Sequence, residues 1–174
     1  MKEIWNIILK AAKFDSEFFK EIADGAEELT LAVIIVLISS LAAGIGSIFQ
    51  VGIVGIIVGT IGAFINWALW AVMAYIALSI FSSQKENLPS SKEILIALGF
   101  ASAPGIIKAG GIIPPFHSFL FVLSHIWMGA VMVMVLDIKC RFKSRWMSPA
   151  AVVAGWAVMA LIIWIIGLSM QRLY

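Results

Sequence analysis

Two histidines and two serines share one arc of an uncharged stretch: His117, Ser118, Ser124 and His125. His117 and Ser124 are seven apart, as are Ser118 and His125, so on a helix each pair lines up along its axis. His125 falls near the middle of the stretch. An ionisable group at that depth in an apolar helix is by default a candidate for a proton relay or a polar-substrate path. A metal site needs three or four ligands within reach, and two histidines eight apart, with no carboxylate or thiol beside them, do not provide it. A neutral, hydrogen-bonded His125 is the simpler reading. Asn66 also needs a hydrogen-bond partner in an apolar setting. Such pairs are worth only about 0.6–2 kcal/mol between membrane helices, so Asn66 reads as glue between helices before it reads as a ligand. No serine–histidine–acid set, phosphate-binding glycine loop or cluster of carboxylates within an apolar run is present. The sequence therefore predicts no enzyme, no cofactor, no metal and no nucleic-acid partner.

The elements that hold these residues are set by composition. The chain has 174 residues, 62% hydrophobic and 13% charged, whereas soluble domains run near 45–50% apolar and about 25% charged. Leu29 to Gln84 contains no charge, nor do Ala109 to Leu136 and Trp146 to Gln171. A spanning helix needs about 20 apolar residues, so the long run holds two spans and the others one each. A shorter run, Ile94 to Ile107, lies between Glu93 and Lys108 and with its flanks just crosses. The expectation is an all-α polytopic membrane protein with five transmembrane helices. Span one covers about Leu29 to Phe49, and span two lies within Val51 to Phe81, longer than one crossing needs. Span three runs from Ser91 to Lys108. Span four is opened by Pro114–Pro115, where missing backbone N–H groups do no harm, and ends near Asp137. Span five runs from Ser148–Pro149 to near Met170.

Residues 1–28 are the one extended polar region. Ile4, Trp5, Ile8, Leu9 and Ala12 share a helical face, with Lys2, Asn6, Lys10 and Lys13 opposite. That is the pattern of a helix in the headgroup plane, or of one packed on the ends of the spans. Asp15–Ser16 predicts the cap of a second short helix. No cleavable signal peptide is apparent. With five spans, Lys2, Lys10, Lys13, Lys20, Lys85, Lys92, Lys139, Arg141, Lys143 and Arg145 fall on one side, and Lys108 and Arg172 on the other. This bias predicts a cytoplasmic N-terminus and an external C-terminus for the bundle of residues 29–174. The loop holding Lys139, Arg141, Lys143 and Arg145 is a topogenic signal that also offers contacts to anionic lipid headgroups. Cys140 is the lone cysteine, so no internal disulfide forms.

Gly52, Gly55, Gly59 and Gly62 make a smooth stripe at steps of three and four, continued by Asn66. Such a stripe lets another backbone approach, from within the chain or from a second copy. Span three carries the opposite kind of puzzle, a proline in its middle. Pro104 removes a hydrogen bond to the carbonyl near Phe100 and is expected to kink the helix. Ser102 or a neighbouring span is available to satisfy that carbonyl. Gly99 and Gly105 leave room for a neighbour, which the stripe on span two would accommodate.

Gly99-Phe100-Ala101-Ser102-Ala103-Pro104 resembles the G-[YF]-x-x-x-P element in the third span of the Yip domain family, the Ypt/Rab-interacting membrane proteins. Three further features agree: the segment Phe14 to Ile22 before the first span, the Ile126–Trp127 pair in span four, and the five-span layout with a cytoplasmic N-terminus. The resemblance covers nearly the whole chain. It implies a small multi-pass protein whose eukaryotic relatives bind prenylated Rab-type GTPases in vesicle traffic and membrane shaping. The N-terminal segment is short and the D-L-Y-G-P element is absent, so the chain looks more like the compact prokaryotic members, in a prokaryotic cell membrane. The functional expectation is a non-enzymatic protein that organises membrane or recruits partners. Its partners are the bilayer with its anionic lipids, other proteins, or a second copy of itself. The alternative is a permease or channel for a small solute, ion or lipid, its path lined by the kinked third span and His125.

Overall fold

A computed structural model describes residues 2–81, 89–140, 142 and 144–171. The chain is helical, with no strand among the described residues. Helices α1 (Lys2–Ala12) and α2 (Ser16–Glu21) precede α3 (Ala26–Gly46) and α4 (Ile48–Phe81). Next come α5 (Ser91–Phe100), a 3-10 helix over Ala103–Ile112 and a short one over Pro114–Phe116. Helices α6 (His117–Cys140) and α7 (Met147–Gln171) complete the order. Four segments are long and apolar enough to cross a membrane: Ala26–Gly46, Gly59–Ala77, Ser91–Ile112 and Pro114–Cys140.

The helix ends follow local chemistry. Asp15 Oδ1 accepts from the Phe18 N–H at 3.1 Å and caps α2. Ser90 Oγ does the same for α5, from the Glu93 N–H at 3.0 Å. Helix α1 closes with Asp15 N–H donating to the Lys10 carbonyl and Phe14 N–H to that of Ala11, the two bonds of a Schellman motif. The position this motif gives to glycine is held by Phe14, at φ 60°. In α4 the excess length is absorbed at Gly52, whose φ of 64° and ψ of −173° break the helix in a region that in effect only glycine enters.

Span three departs from the expected kink. Helix α5 stops at Phe100, and from Ala103 the backbone continues as ten residues of 3-10 helix. Pro104 supplies no N–H for an α-type bond, and the chain tightens by pairing three residues back: Ser102 N–H to Gly99 at 3.1 Å and Gly105 N–H to Ser102 at 2.9 Å. Ser102 Oγ adds a 2.6 Å bond to the Gly99 carbonyl. The proline therefore changes the type of helix, and Ser102 bonds the Gly99 carbonyl rather than that of Phe100.

This segment is the centre of the molecule. Of its span window 72% is buried, against 17–39% for the other three. Every residue from Ile96 to Gly105 is buried. Two glycines admit its neighbours. A Cβ on Gly99 would meet Ala32 and Trp67, and one on Gly105 would meet Ser39 and Met128. Trp67 Nε1 also donates to the Leu95 carbonyl at 2.9 Å, tying α4 to α5. The neighbours are thus side chains of α3, α4 and α6. The glycine stripe is not among them: Gly52, Gly59 and Gly62 have nothing within 4 Å of an added Cβ, and Gly55 meets only Val51 of its own helix. Helical period places these glycines on one face, but that face is turned outward.

Candidate functional site

Two buried lysines mark the two ends of the bundle. At one end Lys139, in the last turn of α6, turns inward, its side chain 7% exposed. Its ammonium donates to Glu93 Oε1 at 2.5 Å, to the Ile22 carbonyl at 2.9 Å and to that of Lys20 at 3.4 Å. Ser90 Oγ, besides capping α5, donates to Asp24 Oδ2 at 3.2 Å. This clasp joins the end of α2, the start of α5 and the end of α6. The expected headgroup role of Lys139 is corrected here, because its charge is consumed inside the protein. Arg145 remains exposed, 5.7 Å from the Trp146 ring. Arg141 and Lys143 lie outside the described residues. Cys140 is buried beside the clasp.

Above the clasp the N-terminal segment docks along the flank of the bundle. The Phe18 ring stands 5.3 Å from that of Phe100, and Phe19 is fully buried. Trp127, near the middle of α6, donates Nε1–H to the Ala12 carbonyl at 2.8 Å. The buried face of α1 is Ile8 and Ala11, while Trp5 and Leu9 of the expected apolar face stay exposed. Between α1 and α2 lies an open groove of about 640 Å³, lined by Asn6, Ile7, Leu9, Lys10, Lys13, Asp15 and Phe18. None of that lining comes from the spans.

At the other end Lys108 is 8% exposed. A Cβ on Gly46 would strike its carbonyl, so the end of α3 and the 3-10 segment are in backbone contact here. Lys108 Nζ has no carboxylate within ion-pair distance among the described residues. It sits 5.9 Å from the centroid of the Phe121 ring. A desolvated cation–π contact is worth about 2 kcal/mol at best and fades near 6 Å, whereas burying an ammonium costs several kcal/mol. The ring does not compensate the charge. Against the same ring, centroids 4.3 Å apart, lies His117, whose Nδ1 is buried with no hydrogen-bond partner.

The predicted arc of α6 is therefore divided. His117 lies against the Phe121 ring, which Lys108 also approaches. Ser124 is buried, its hydroxyl 3.6 Å from Met128 Sδ. His125 is exposed on the outer face, with Nδ1 2.7 Å from the Phe121 carbonyl of its own helix. Asn66 is half-buried, and no described residue hydrogen-bonds its amide. Glu93 and Lys108 are the important groups missed by sequence reasoning. Lys108 is a charge at the end of the stretch that must cross, where sequence alone marks it as a flank.

No group of three metal-ligating side chains occurs among the described residues. No family model, no curated protein and no solved structure matches this chain.

Proposed function

We propose that the chain is a five-span integral membrane protein, without catalytic activity, that organises membrane or recruits partners through its N-terminal segment. In this reading α7, 25 residues long, is the fifth span. The clasp end is cytoplasmic and the C-terminus external, as the distribution of basic residues favours. One observation carries the reading against a permease: the third span, which would have to line a path, is buried at every position from Ile96 to Gly105. His125, the other proposed lining residue, faces away from that core. The scaffold reading also gains support from the meeting of the residues that resemble the Yip family. Phe18 packs on Phe100, and Trp127 holds the end of α1. Outward on α1 and the turn after it are Trp5, Asn6, Leu9, Lys10, Lys13 and Phe14, a mixture suited to an anionic membrane surface, while Glu17, Lys20, Glu21 and Asp24 are the exposed charges that follow.

Single cysteines placed from Ile96 to Gly105 in a Cys140→Ser background test this reading. Membrane-impermeant thiol reagents should leave them unlabelled. Labelling at successive positions in the membrane would establish a water path and transfer the proposal to the permease.

A further inference from the structure

The Lys108 end combines features that each ask for the same thing. Lys108 is 8% exposed as a whole residue, and its ammonium, which reaches the surface, has no anionic partner among the described residues. His117 Nδ1, against the same Phe121 ring, is buried and unpartnered. His117 is also the first residue of α6, where the helix dipole adds positive potential, although its own N–H is donated to the Pro114 carbonyl. The seat is rigid, since Gly46 admits the Lys108 carbonyl, and a Cβ on Gly111 would touch the edge of Phe121 and the Gly46 carbonyl. Around it the rim is apolar: Ile112, Ile113, Phe116 and Phe119 are all exposed. A cationic seat with an apolar rim matches the boundary where phosphates meet acyl chains.

We propose that Lys108 and His117 form a binding site for a phosphate oxyanion, that of a lipid headgroup. Lys108 supplies the charge, and His117, its ring turned so that the buried Nδ1 comes to the surface, supplies a directed donor. The acyl chains lie along the outward residues Phe119, Val122 and Ile126 of α6. The apolar rim favours a lipid over free phosphate, because only a lipid covers both parts of the surface. The site is independent of the scaffold reading, which concerns the N-terminal segment and the core.

The test uses the full chain, delipidated in mild detergent, and three probes: phosphatidylglycerol, phosphatidylcholine and inorganic phosphate. Thermal melts and native mass spectrometry are the readouts. Phosphatidylglycerol should raise the melting temperature by several degrees and stay bound, with phosphatidylcholine weaker. Lys108→Met should melt higher than wild type without lipid, having lost an uncompensated charge, and gain nothing from phosphatidylglycerol. His117→Leu should bind about tenfold more weakly, and it carries the comparison if Lys108→Met does not fold. An equal shift from inorganic phosphate, lost in Lys108→Met or, if that variant does not fold, about tenfold weaker in His117→Leu, would keep the site and make free phosphate its source. No shift with any probe, or the same shift in wild type and variants, overturns the proposal.

Discussion

Lys139 and Lys108 both turn their side chains inward, at opposite ends of one bundle, yet one has three oxygen acceptors and the other only a ring. Burial alone therefore says little about what a lysine does. Lys139 is enclosed by groups that arrive from three elements, so its charge works as a fastener. Lys108 is enclosed by apolar side chains and backbone, so its charge is left over.

The sharpest way to break this contrast is to remove the partner of Lys139. Glu93→Ala leaves an ammonium buried beside two carbonyls, and the loss of one member of such a pair costs about 3–5 kcal/mol. Thermal melts in detergent should fall steeply, and a change below about 1 kcal/mol would show that the clasp is ornamental. Next in size is Gly105→Ala, whose methyl must displace Ser39 and Met128. Overpacking of this kind costs about 1–3 kcal/mol. Gly59→Ala, open to its surroundings, should change stability by less than about 1 kcal/mol, so equal melts for the two alanines would mean that the two glycine environments do not differ. Lys108→Met should stabilise the lipid-free protein by about 1 kcal/mol or more, the reverse sign to Glu93→Ala. Smallest of all is the double change Lys139→Met with Glu93→Leu. Removing both charges together is expected to be nearly neutral, within about 1 kcal/mol; measured against the single changes, it isolates the coupling.

The sequence shows helix limits well where one residue sets them. Asp15 caps the helix it was expected to cap, and Pro114–Pro115 precede α6. The close approach at Gly99 and Gly105 was also legible, because a missing side chain inside an apolar run needs a neighbour to explain it. What such a pattern does not contain is the identity of that neighbour. The stripe from Gly52 to Gly62 and the pair Gly99–Gly105 are both small residues within apolar runs, yet only the second is covered. The direction of Lys139 was hidden for a related reason. A basic cluster averages its members, and the acceptors that single out Lys139 come from positions 46 to 119 residues away. The 3-10 segment was the third thing concealed, since Pro104 announces a break in the α pattern without saying what replaces it.

That replacement changes the reach of the third span. An α-helix advances about 1.5 Å per residue and a 3-10 helix about 2.0 Å. The ten residues from Ala103 to Ile112 therefore cover about 20 Å in place of about 15 Å. Hydrocarbon is about 30 Å thick, and the uncharged run between Glu93 and Lys108 is the shortest of those read as spans. Winding half of the segment more tightly lengthens it by about 5 Å, the equivalent of some three α-helical residues. A central helix too brief for its neighbours is thus stretched to match them by the proline that ends its α-helical part.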